Sequence, residues 1–104
     1  MSVITIYAVF VDKEEAERIG RQMIDERLAA CVNILAPCTS IYRWDGVVEK
    51  AEEVPALFKT RTDLADRLVE RVAHLHSYDV PAVVAWPIDR LFARYGDWVE
   101  SATR

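Results

Sequence analysis

The chain has 104 residues, of which 52% are hydrophobic and 29% charged, and its formal net charge is −4. That composition describes one globular domain spanning 1–104, neither two domains nor a disordered chain. Lysines and arginines are scattered among the acids, which excludes the basic face a nucleic-acid binder needs and gives a surface that attracts cations instead.

Residues 1–6 lack a basic stretch followed by a long apolar core, so no secretory signal is predicted. No apolar run approaches the roughly 18 residues of a membrane helix. A cytoplasmic protein with no membrane partner is expected. In that reducing setting Cys31 and Cys38, seven residues apart, are expected to be free thiols.

Residues 3–11 are nearly all apolar and rich in β-branched side chains, the pattern of a strand buried on both faces. Asp12 with Glu15 three positions on is a capping-box signal. Ala16, Ile19, Met23 and Leu28 then recur at helical spacing, which predicts a helix over 13–28. A second strand is expected over 30–44 and a third over 47–60. Asp45-Gly46 between them is a strong two-residue hairpin signal. That turn would set Trp44 opposite Val47, Tyr42 opposite Glu49 and Ser40 opposite Ala51, with Tyr42, Trp44, Val47 and Glu49 on one face. The same register places Pro37 and Pro55 at one height. Proline donates nothing to a ladder, so the hairpin should bend there and project over about 39–52. Such an arm with an aromatic face is expected to pack on another subunit. Thr62 is the expected cap of a second helix, striped by Leu64, Leu68, Val72 and Leu75 and ending near His76. A fourth strand is expected over 81–86. The tail over 89–104 is partly helical, with a break possible at Gly96. The order β-α-β-β-α-β plus a tail is ferredoxin-like α+β.

No phosphate loop, nucleophile elbow or zinc-protease motif is present, which argues against an enzyme and against an organic cofactor. The chemistry-bearing candidates are few. Cys31 is either a packed core thiol or a soft ligand for copper or zinc. Cys38 falls on the opposite face from Cys31 in a regular strand, unless a bulge at Pro37 restores the face. His74 and His76 point about 200° apart on a helix and cannot chelate together. Lys59 closes an apolar stretch and either points a cation into a cleft or reaches out to water.

Taken together, Ala30-Cys31-Val32-Asn33-Ile34, Ser40 to Gly46, Glu49, Glu53, Lys59-Thr60, His76 to Pro81, Tyr95 and Trp98 resemble the CutA divalent-cation-tolerance family over essentially the whole chain. The resemblance implies a tight homotrimer of ferredoxin-like subunits, similar in architecture to PII signalling proteins, with long hairpins extending sheets between subunits. It places Cys31, Tyr42, Trp44, Glu49, Lys59, His76 and Tyr78 near the clefts between subunits. Ser77, Asp79 and Trp86 depart from the family pattern, where proline, glutamate and a smaller aliphatic residue are usual. Three functions are expected in order. The first is a metal-responsive trimer binding copper or another divalent cation, with Cys31 and His76 as ligands. The second is a PII-like sensor of a small anionic ligand anchored by Lys59. The third is a trimeric scaffold without a specific ligand.

Overall fold

The computed structural model describes residues 2–104. In chain order the elements are β1 (Val3–Phe10), α1 (Lys13–Asp25), β2 (Cys31–Ile34), β3 (Cys38–Trp44), β4 (Val47–Arg61), α2 (Ala65–Leu75), β5 (Val83–Pro87) and α3 (Ala93–Ala102). The strands form one antiparallel sheet in the order β2-β4-β1-β5, with β3 continuing along β4. β1 is central, and its seven apolar residues out of eight reflect that position.

Alternation along the strands sorts the side chains onto two faces. Ile4, Ile6, Ala8 and Phe10 of β1, with Val54, Ala56 and Phe58 of β4, pack against Ala16, Ile19 and Met23 of α1 and Leu68 and Val72 of α2. α1 approaches closely at Gly20, where a Cβ would stand 2.9 Å from Val32 Cγ1. The opposite face carries Val3, and there Val99 of α3 packs with Val3 and Ala30. α3 therefore covers one end of the second face. It runs unbroken through Gly96.

Four boundaries differ from the sequence pattern, the smallest at β5, which starts at Val83 rather than Pro81 and takes in Pro87. α1 stops at Asp25 rather than Leu28. Arg27 adopts φ 59°, the Leu28 amide donates to Met23 O at 3.0 Å and the Arg27 amide donates to Ile24 O at 3.0 Å, which together form a Schellman cap. Thr62 starts a 3-10 turn over Thr62–Leu64, and its side chain caps nothing. The true N-cap of α2 is Leu64, without a side-chain cap bond. The expected strand over 30–44 is two strands. β2 pairs Ile34 with Ala56, and β3 resumes with Cys38 opposite Glu53, so four steps on one side answer three on the other. The extra residue is a bulge at 35–37. Its cause lies across the ladder, where Pro55 O accepts from the Leu35 amide on this side while Pro55 itself has no N–H to return.

The hairpin turn forms as expected. Asp45 has φ 50° and Gly46 φ 78°, the positive pair a two-residue turn requires. Trp44 faces Val47, Tyr42 faces Glu49 and Ser40 faces Ala51. All ten residues from 41 to 50 are exposed. The arm stretches the molecule to 45 × 26 × 23 Å with a radius of gyration of 14.2 Å, above the roughly 13 Å of a compact chain this long. Among the described residues, no helix is long and apolar enough to cross a membrane.

Candidate functional site

The loop after α2 is fixed from below by two buried polar side chains. Asp12 caps α1 by accepting the Glu15 amide at 2.8 Å. Glu15 does not return the bond to Asp12. It is 4% exposed, accepts the Val11 amide at 3.1 Å through Oε1, and accepts the Ser77 amide at 2.9 Å through Oε2. Burial alone would raise its carboxyl. The hydrogen bonds from Ser77 and Val11 and the neighbouring His76 outweigh that, and the group is held below its ordinary range.

His76 ends α2 in an extended conformation. Its ring is stacked on Phe10, with centroids 5.1 Å apart. Nδ1 accepts the Tyr78 amide at 3.0 Å, so the hydrogen-bond pattern assigns the ring proton to Nε2, which donates to Val9 O at 2.7 Å. Both nitrogens are occupied within the chain. His76 thus aims the next residues rather than presenting a free lone pair.

Those residues build a groove. Tyr78 reaches across and donates its hydroxyl to Glu53 Oε2 at 2.8 Å. Glu53 is 8% exposed, although it lies on the same face of β4 as the exposed Glu49. Tyr42 donates to Glu49 Oε1 at 3.4 Å. Together with Trp44, Val80 and Ala82, these side chains line a groove of about 680 Å³ between the β3–β4 hairpin and the 76–82 loop. Burial, then the hydrogen bond to Glu53 and that group's charge, pushes the Tyr78 phenol up. Burial, then Glu49 and Glu53, does the same to Tyr42. Both are neutral hydroxyls at neutral pH.

Four of the seven residues singled out by sequence therefore converge on the groove: Tyr42, Trp44, Glu49 and Tyr78. His76 stands behind it as a support. Cys31 and Lys59 lie elsewhere, paired across β2 and β4 at the level of Thr5. Cys31 Sγ is 3.3 Å from Tyr95 Oη, and burial with that contact pushes the Tyr95 phenol up to about 12. Lys59 Nζ donates to Asn33 Oδ1 at 3.3 Å.

The chain does not bring Cys31 and His76 together. His76 meets β1 at Val9, four residues or about 13 Å along the strand from the level of Cys31. The bulge does return Cys38 to the face of Cys31. Their β4 partners are Glu53 and Lys59, so the two thiols are roughly 20 Å apart along the strand. Among the described residues no three His, Cys, Asp or Glu side chains converge as a metal site. The donors of a single subunit do not fit a chelated copper ion.

Sequence reasoning passed over Glu15 and the groove role of Glu53. Glu15 carried only its capping signal. Glu53 was findable, since the hairpin register puts it on the face of Glu49.

A family model described as CutA1 divalent ion tolerance protein matches residues 4–102. The chain is 39% identical over 102 residues to a divalent-cation tolerance protein CutA of Pyrococcus horikoshii, covering 98% of this chain and 99% of that one. It is 41% identical over 101 residues to a chloroplastic CutA 1 of Oryza sativa, covering 97% of this chain; it spans only 57% of that longer relative. Among solved structures, CutA from Xylella fastidiosa superposes with a TM-score of 0.96 at 32% identity over the whole of both chains. A CutA from Archaeoglobus fulgidus, described as periplasmic, superposes at 0.94 and 35% identity over 98% of this chain and 99% of that one.

Proposed function

Because this chain belongs to the CutA1 divalent ion tolerance family, we propose that it is a non-catalytic, homotrimeric binding module whose part in cation tolerance runs through the groove beneath its hairpin. The observation that carries this is the convergence of Tyr42, Trp44, Glu49 and Tyr78 around the enclosed Glu53 carboxylate. A groove walled by carboxylates favours a cation and repels an anion. The anionic-ligand reading loses support, since Lys59 is bonded to Asn33 away from the groove. Copper at Cys31 would take its further ligands from a neighbouring subunit, because among the described residues no three His, Cys, Asp or Glu side chains converge on the thiol, whose hydrogen-bond partner is Tyr95.

Apolar side chains on the open parts of the sheet support the trimer. Trp86 and Val84 on β5 and Ile41 and Val48 on the hairpin are 45–71% exposed. The non-catalytic reading is supported by the sequence, which carries no phosphate loop, nucleophile elbow or zinc-protease motif. The thiols Cys31 and Cys38 are unbridged, which suits a reducing cytoplasm.

Native mass spectrometry of the reduced protein, with copper, zinc or adenine nucleotide added in turn, tests these points together. A trimer is expected, and whichever cation the groove takes up, metal or organic, is lost in Glu53→Gln and kept in Cys31→Ser. A monomer, or nucleotide uptake abolished by Lys59→Ala, would overturn the proposal.

A further inference from the structure

We propose that the groove binds a small organic cation, an ammonium or guanidinium group carried on a flat or apolar body. This rests on the groove being the ligand site and names the ligand's chemical class.

Glu53 carries the inference. It is 8% exposed, its Oε2 has the Tyr78 hydroxyl as donor, and its other oxygen receives no hydrogen bond from the described residues. No lysine, arginine or histidine among the described residues forms an ion pair with it. With one oxygen bonded to Tyr78 and the other open to the groove, the carboxylate keeps a free acceptor that a cation entering the groove can engage. Glu49 and Asp79 add negative charge to the walls. Arg43 is the one basic residue lining the groove. Its guanidinium is turned to the tip of the hairpin, where Nη1 donates to Gly46 O at 3.2 Å, and it forms no ion pair with Glu53.

The walls decide between a bare metal ion and an organic cation. A divalent ion requires several convergent donors. Glu49 and Glu53 are four residues apart on one strand, about 13 Å between Cα atoms. The neutral phenols of Tyr42 and Tyr78 are weak ligands. Asp79 and Ser40 add oxygens to the lining, but among the described residues no three His, Cys, Asp or Glu side chains converge, and the walls formed by Trp44, Val9, Ile41 and Val80 offer no ligand atoms. Those walls do offer aromatic faces for a cation and apolar surface for the body that carries it. The groove's volume of about 680 Å³ lies within the range of small-molecule sites.

The test titrates the full chain with benzamidinium, a flat organic cation, and with benzamide, its neutral isostere, following tryptophan fluorescence and heat. Benzamidinium is expected to bind with benzamide about tenfold or more weaker, and Glu53→Gln is expected to weaken benzamidinium by about tenfold or more. Glu49 stands on the exposed arm, so Glu49→Gln keeps its fold and should weaken binding in the same direction. Equal binding of benzamide, or indifference to both variants, would overturn the inference. Zinc or copper uptake that depends on Glu53, without benzamidinium binding, would overturn it while leaving the groove as the ligand site. Failure of every cation to respond to either variant would sink both. If the groove instead holds a basic side chain of a second copy, benzamidinium will not bind and Glu53→Gln will dissociate the trimer, which also overturns the inference.

Discussion

Glu15 shows how one buried carboxylate organises a distant loop. Its two oxygens hold the amides of Val11 and Ser77, residues on either side of the sheet's end. Glu15→Gln keeps the shape but turns an N–H toward one of those amides, and should cost about 1–3 kcal/mol at neutral pH. The pH dependence has a definite sign. The folded carboxyl is held below its ordinary 4.5, so its contribution is fully present above pH 4.5 and is lost as pH falls through the lowered value. Thermal melts from pH 7 to 3 at fixed protein concentration should show the wild type losing more stability than Glu15→Gln below pH 4.5. Parallel curves would mean that Glu15 does not carry the acid sensitivity. Glu26, bidentate to Arg71 with both bonds at 2.9 Å and its own carboxyl lowered to about 2, contributes in the same direction, but in both proteins equally and from a solvent-screened position.

Among the elements, the ends are where side chain and backbone conflict. The Schellman cap after α1 uses Arg27 at φ 59°, a region in which a Cβ is strained by about 1–2 kcal/mol. Arg27→Gly removes that strain at some cost in unfolded-chain entropy. The expected net gain is about 0.5 kcal/mol, whereas Arg27→Val, β-branched, should lose about 1 kcal/mol or more. Thermal unfolding of the two variants checks both signs, and a loss on Arg27→Gly would mean that the arginine side chain contributes more than its backbone costs. The hairpin's bulge works at the same scale. Pro55 withholds one donor, the partner strand opens by one residue, and β2 sits one residue out of the register that the turn sets for β3. The register set by the turn runs unbroken to Cys38, which lies opposite Glu53, and alternation along β4 puts Glu53 on the face of Glu49, where Tyr78 reaches it.

At the scale of the whole molecule, the second face of the sheet is only partly covered. α3 shields the end near Val3, while Trp86 and Val84 are exposed and Tyr7, its ring centroid 5.7 Å from that of Trp86, is half-buried. Contiguous exposed apolar surface on a small chain marks an association site. If this face is the trimer interface, Trp86→Glu should yield a folded monomer at micromolar concentration, read by light scattering with circular dichroism as the fold control. A variant that remains a trimer as tight as the parent would place the interface on the hairpin alone. Because the chain's partners would share this surface, its melting temperature should rise with concentration.

What the sequence determined by itself was local. The apolar run of β1, the Asp12 cap, the Asp45-Gly46 turn and the pairing of Tyr42 with Glu49 all follow from short-range chemistry, and each is present in the fold. The ferredoxin-like order was legible for the same reason, since periodicity and turn residues act within a few positions. The tertiary structure alone decided where the distant pieces meet. It turned His76 inward onto Val9 O, set Cys31 against Tyr95 of the tail, and closed Tyr78 onto Glu53, contacts spanning 67, 64 and 25 residues. No spacing rule reaches that far. Such contacts depend on how the sheet brings separate segments to one end, and on buried polar groups taking whichever partner the packing leaves within reach.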